Sequence, residues 1–234
     1  MSNKNFDFLA FIGRFQPLHM GHLAVIEAGL QQADQLIILC GSARNPWSVS
    51  ERESMIRGAV STDNNNNNRV HIAPLMDIAY NDESWVRNVQ ATVNGLVTAH
   101  HGVPHKMPKV GLIGHSKDQS SYYLNLFPQW GAVQVDNFKG ISATPIREAI
   151  FTEGTPSNDI SSNNIGDKAY INSNEAKQLL PTNVRQHVSE FYSTDTYAEV
   201  KGEHDFVAKY KQAWSAAPYP PIFVTVDGRA ESKT

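Results

Sequence analysis

The segment Gly13-Arg-Phe-Gln-Pro-Leu-His-Met-Gly-His22 carries the densest chemistry in the chain. Two imidazoles, His19 and His22, stand where a helix is expected to begin, at a spacing that lets both point one way. They follow Phe8-Leu-Ala-Phe-Ile12, a short apolar run that reads as a buried strand ending at Gly13. A helix N-terminus presents unpaired backbone N–H groups and the positive end of its dipole, so it attracts phosphate. Gly13 and Gly21 let the backbone approach such a ligand closely. This combination suits a triphosphate. Two rival readings of the pair stand beside it. One is a metal-binding pair, for which no third ligand in an obvious motif lies nearby; the other is two structural histidines satisfied by their surroundings.

A second constellation is Ile141-Ser-Ala-Thr-Pro-Ile-Arg147. Ser142 and Thr144 offer hydroxyls and caps at a helix N-terminus, and Pro145 suits a first helical turn. Arg147 falls in that first turn, where its guanidinium can hold phosphate oxygens bidentately. Taken alone, the segment is an ordinary capped helix. Two familiar phosphate motifs, Gly-x4-Gly-Lys-Ser/Thr and Gly-x-Gly-x-x-Gly, do not occur. A P-loop enzyme and a dinucleotide-binding dehydrogenase are therefore not expected.

The elements that must position these residues alternate. A helix carrying Leu23, Ile26, Ala28 and Leu30 follows the first strand, and Gln35–Cys40 is a second buried strand. Ser50 is read as the cap of a helix reaching Val60, with Glu53 as its capping-box partner. Asp63 and the asparagines 64–68 form a polar loop. Val70–Met76 is the third strand, and Val86, Val89, Val93, Leu96 and Val97 mark a helix. Lys109–Gly114 and Ala132–Val135 complete the strands. Segment 154–174, rich in Asn, Ser, Asp and Gly, reads as an exposed, mobile excursion. Val184–Tyr192 and Asp205–Trp214 look helical, and Ile222–Val226 looks like one more strand. The pattern is that of an α/β, Rossmann-like open parallel sheet with helices on both faces.

Composition narrows the class. The chain has 234 residues, 41% hydrophobic and 18% charged, with a net charge of −3. That is enough for a sizeable core, and the absence of a strongly basic stretch argues against nucleic acid as a partner. Cys40 is the only cysteine, so no internal disulfide forms, and a reducing cytoplasm is the expected location. No apolar run approaches the ~20 residues that cross a bilayer, so no membrane partner is expected. A homo-oligomer is left open.

Together the two constellations resemble the nucleotidylyltransferase superfamily, with its Gly-x-Phe-x-Pro-x-His-x-Gly-His and Ile-Ser-x-Thr-x-x-Arg signatures. Gly41-Ser-Ala43, Asn45-Pro-Trp-Ser-Val-Ser-Glu-Arg52, Gly114-His-Ser-Lys-Asp-Gln-Ser-Ser-Tyr-Tyr123 and Phe127-Pro-Gln-Trp130 are similar to the archaeal-type nicotinamide mononucleotide (NMN) adenylyltransferases. The similarity is strongest to the bifunctional form that carries a Nudix hydrolase domain. The loop 41–46 is shorter than in that form. The Nudix box is missing, so no Nudix activity is expected, although Tyr219–Val226 resembles the entry strand of such a domain.

The resemblance implies an enzyme that joins ATP to NMN, giving NAD and pyrophosphate, with Mg²⁺ as cofactor. It implies that His19, His22 and Arg147 are catalytic. Gly13, Arg14, Phe15, Gly21, Arg52, Gly114, Ser142 and Thr144 would bind ATP, and Gln16, Asp77 and Trp85 would bind NMN. Trp85 would stack on the nicotinamide ring; packing in the core is its rival reading, and a strand-end cap is that of Asp77. Residues 1–195 would form the catalytic domain, with 154–178 as a flexible insertion. Residues 196–217 would be a C-terminal helix, and 218–234 a linker or remnant of a Nudix-like domain. Another phosphorylated acceptor, such as nicotinic acid mononucleotide or phosphopantetheine, and a non-catalytic NAD- or ATP-binding regulator are the alternatives.

Overall fold

Alternation inside the two central strands decides where everything else packs. Strands β1 (Phe6–Gly13) and β2 (Ala33–Gly41) send Phe8, Ala10, Ile37 and Leu39 to one face. Leu9, Phe11, Leu36 and Ile38 go to the other, as the two-residue strand period requires. All eight are buried, so helices must cover both faces. The computed structural model describes residues 4–42, 46–60, 68–78, 81–101, 107–115, 126–152 and 169–216.

Strands β3 (Val70–Leu75), β4 (Val110–His115) and β5 (Gly131–Val135) complete a five-stranded sheet in the order β3-β2-β1-β4-β5. Every neighbouring pair is parallel. Chain order reverses between β1 and β4, and in open parallel sheets the crevice outside the carboxyl ends at that point receives ligands. Gly13 and His115 end the two strands that flank it.

One face is covered by α3 (Asp82–His101), whose Val89, Val93 and Val97 form a buried stripe. Helices α1 (Met20–Gln32), α2 (Val49–Val60), α4 (Ala143–Thr152), α5 (Ala169–Asn172), α6 (Asn174–Leu179), α7 (Thr182–Phe191) and α8 (Asp195–Ala213) contribute to the other face. Among the described residues no helix is long and apolar enough to cross a membrane.

Three local expectations are corrected. The capping box of α2 is Ser48 with Glu51, not Ser50 with Glu53: the Glu51 N–H donates to Ser48 Oγ at 3.3 Å and the Ser48 N–H to Glu51 Oε2 at 2.7 Å. Glu53 instead accepts from Arg57 one turn on. The excursion after α4 is not exposed throughout, since α5 buries Tyr170 and Ile171 in the main core. Residues 153–168 lie outside the described residues, as do most of the asparagine loop and the expected strand at 222–226. Helix α8 starts ten residues before Asp205, where Thr194 Oγ1 caps it by accepting from the Tyr197 N–H at 3.1 Å.

Candidate active site

The β1–α1 turn is held from three directions. Phe15, at φ 52°, takes a left-handed conformation that a bulky side chain rarely adopts. Its ring packs edge-on against Phe11 and near His22, at centroid distances of 5.2 and 4.9 Å. The Gln16–Pro17 peptide is cis. Gln16 is buried and donates from Nε2 to the Trp47 carbonyl at 3.4 Å.

His19 is the N-cap residue of α1, and His22 lies in its first turn. The rings stack at 3.7 Å between centroids, inclined by 22°. The His19 backbone N–H donates to His22 Nδ1 at 3.3 Å. With Nδ1 accepting, neutral His22 carries its proton on Nε2, the nitrogen with which it would address a phosphate. Gly21 makes the stack possible: a Cβ there would meet His19 Nδ1 at 3.0 Å and Cε1 at 3.1 Å. That Cβ would also lie 3.6 Å from Ile141, so the second constellation is packed against the first.

Arg147 ties the two together. From the first half of α4 its Nη1 donates to the Gln16 carbonyl at 2.8 Å, and its Nη2 to Thr144 Oγ1 at 3.4 Å. Burial, then the nearby Arg14 cation, hold the guanidinium below its usual pKa, with Glu148 opposing. Arg14 and Arg147 line a cleft of about 570 Å³. Ser142 precedes α4, and Gly114 is buried near the carboxyl end of β4.

Arg52 stands differently from the expectation. It is fully buried. Its Nε donates to the carbonyls of Trp47 and Ser48, both at 3.1 Å, and its Nη1 to those of Arg14 and Gly41, at 2.6 and 2.8 Å. The guanidinium braces the motif loop against the end of β2. Cys40 precedes Gly41 there; burial, opposed by Arg52, pushes its thiol up, which makes it a poor nucleophile.

Asp77 follows β3, and its backbone N–H donates to Ser42 Oγ at 2.9 Å. Its carboxylate oxygens lie 3.4 Å from where a Cβ on Gly41 would stand, beside the Arg14 stem. Trp85 is half-buried in the first turn of α3, 6.1 Å from Phe127 between ring centroids, so part of it belongs to the core on that face. The structure thus gathers Gly13, Arg14, Gln16, His19, Gly21, His22, Thr144 and Arg147 into one neighbourhood. Asp77 reaches it over β2, while Trp85 stands on the α3 side of the sheet. Trp47 is not among the residues expected at the site, yet its carbonyl accepts from both Gln16 and Arg52. The Asn45–Arg52 run contained it, but periodicity gives no sign of a carbonyl's role.

The cytidylyltransferase-like family profile matches residues 10–167, more than half of the chain. The nicotinamide/nicotinic acid mononucleotide adenylyltransferase of Acinetobacter baylyi is 43% identical over 153 residues, which are 62% of this chain and 76% of the relative. The chain belongs to the cytidylyltransferase-like family, among the mononucleotide adenylyltransferases. The nicotinamide-nucleotide adenylyltransferase of Ignicoccus hospitalis is 40% identical over 89 residues, 36% of this chain and 52% of that protein. In structure, a bifunctional NMN adenylyltransferase/ADP ribose pyrophosphatase from Francisella tularensis superposes with a TM-score of 0.73 and 30% identity. The superposition covers 93% of this chain and 59% of the Francisella chain. A second structure of that protein, complexed with AMP and a manganese ion, superposes at 0.69. The five-stranded parallel sheet with helices on both faces is the nucleotidylyltransferase fold of this family.

Proposed function

We propose that this chain condenses ATP with NMN, forming NAD and releasing pyrophosphate. The observation that carries the reading is the convergence of Arg147 and the His19–His22 stack on one turn, at the carboxyl end of β1. An NMN phosphate oxygen attacks the α-phosphorus of ATP in line. The bond from that phosphorus to the bridging oxygen breaks, and pyrophosphate leaves with the electron pair. No enzyme nucleophile is required, so catalysis rests on positioning and on charge stabilisation.

His22 Nε2, His19 and the N-terminus of α1 donate toward the phosphates, while Arg14 and Arg147 neutralise charge that moves to the departing pyrophosphate. A preorganised donor in such a site contributes about 2.7–4 kcal/mol to the transition state. Ser142 and Thr144 shape the start of α4 on the ATP side, with Gly114 across the crevice. Arg52 acts as a positioning residue through the carbonyls it holds. Gln16, Asp77 and Trp85 form the mononucleotide side, where the Trp85 face suits a flat cationic ring.

A divalent ion, Mg²⁺ in this reading, supplies further neutralisation of the phosphates. Among the described residues no group of three or more His, Cys, Asp or Glu side chains gathers as a metal site. Such an ion would be held by substrate phosphate oxygens and water rather than by a dedicated protein cage. The relative from Acinetobacter baylyi is named for both mononucleotides, which favours nicotinic acid mononucleotide as a second acceptor. Incubating the chain with ATP, Mg²⁺ and each mononucleotide, then identifying products by mass spectrometry, tests the proposal. NAD is expected from NMN; absence of a dinucleotide with either acceptor overturns it.

A further inference from the structure

A carboxylate shares the cleft lined by Arg14 and Arg147: Glu148, the residue after Arg147 in α4. Beside a polyphosphate, an unrestrained carboxylate is a liability. It repels the substrate and can occupy the cations that should meet it. Glu148 is close enough to matter: burial, then Arg14, lower the Arg147 pKa, and Glu148 opposes them. Among the described residues, no ion pair joins Glu148 to Arg14 or Arg147. Its partner is on α8, where His204 Nε2 lies 2.8 Å from Glu148 Oε2. A carboxylate only accepts, so Nε2 carries the proton and donates. The imidazole is held from behind. Its ring lies 5.6 Å from that of Phe151 between centroids, and its Nδ1 lies 3.6 Å from Asp205 Oδ1. Asp205 in turn accepts from Lys201 Nζ at 2.8 and 3.0 Å, and Lys201 is buried. Lys201, His204 and Asp205 are neighbours on one side of α8, so the chain of contacts has a fixed root and ends on Glu148.

We infer that His204 is a positioning residue for ATP binding, and that it acts by restraining the Glu148 carboxylate so that Arg14 and Arg147 stay available to the substrate. The inference rests on the adenylyltransferase reading above. It concerns what keeps the cations open, not where each phosphate lies. Released from His204, Glu148 is an anion tethered beside two guanidinium groups, and it competes with the incoming nucleotide for them.

Calorimetric titration with magnesium ATP tests this without turnover. His204→Ala should weaken binding about 3- to 5-fold, the upper end for an exposed charge pair. Glu148→Gln alone should bind as the parent does, because the carboxylate it removes is already restrained. Combining the two should return binding to near the parental level. His204→Gln, which keeps an N–H donor, should retain most of it. A contact that merely joined α4 to α8 would give another pattern: either single substitution would weaken binding, and the pair would restore nothing. Glu203→Gln removes the other carboxylate lining the cleft, and should change binding by the same factor with or without His204. Parental binding by His204→Ala, or a double variant as weak as His204→Ala, would overturn the inference alone if Arg147→Ala still binds weakly. Parental binding by Arg147→Ala would overturn the underlying reading as well.

Discussion

Replacing Arg52 by lysine separates two roles for a buried cation. The substitution keeps the charge but removes the fork. Arginine places Nε on the Trp47 and Ser48 carbonyls and Nη1 on those of Arg14 and Gly41. One ammonium can serve one end of that set, so about two hydrogen bonds to a charged donor are lost. At roughly 1.5 kcal/mol each, the lower end for such bonds, the cost is about 3 kcal/mol. For a chain of this size that corresponds to a melting temperature lowered by roughly 6–12 °C. Turnover at a temperature where the variant is fully folded should fall moderately, because the motif loop is less well held. Thermal unfolding followed by circular dichroism, paired with steady-state kinetics, reads both quantities. A variant that melts with the parent but loses most of its turnover would refute the brace and return Arg52 to the triphosphate.

Three further outcomes follow from the same geometry. Trp85→Ala should raise KM for NMN about 10-fold, the scale of a lost stacking contact, and leave KM for ATP nearly unchanged; equal effects on both substrates would place Trp85 outside the mononucleotide pocket. Gly21→Ala gains up to ~1 kcal/mol of helix propensity yet crowds the His19 ring, so the melting temperature should hold while kcat drops at least ~10-fold; parental turnover would show that the ring position does not matter. His71 on β3 has its pKa lowered from 6.5 by burial, then by His100 and Arg57. Its folded form resists a proton that the unfolded chain accepts, so stability present above about pH 6.5 is lost as pH falls below it. Denaturant melts across that range should show a shallower loss in His71→Asn than in the parent, and identical slopes would exclude His71 as the source.

Much of this molecule is legible from its residues because its signals are strong and local. Apolar runs such as Gln35–Cys40, ending in glycine, mark strands whatever lies around them, and the His19–His22 and Ser142–Arg147 patterns mark the helix starts beside them. Strand order is not local, and no single segment encodes that β1 lies between β2 and β4. The helices at 169–179 escape a reading by composition because Asn and Ser surround the two apolar residues that matter, Tyr170 and Ile171. Their burial is decided by the distant core they meet. Capping of α2 was ambiguous by two residues because Ser48 and Ser50 both have a glutamate three positions on, and only backbone geometry distinguishes them. The direction of Arg52 is a similar case. Spacing places a guanidinium near the motif loop but does not say whether it faces a ligand or the carbonyls beneath it.

The 3.7 Å contact between the His19 and His22 rings makes them one working part. Each ring is part of the surface on which the other rests, and His22 also leans on Phe15 and on the His19 backbone N–H. In the proposed reaction the two substitutions should therefore overlap, and the double variant is expected to lose less turnover than the product of the two single losses.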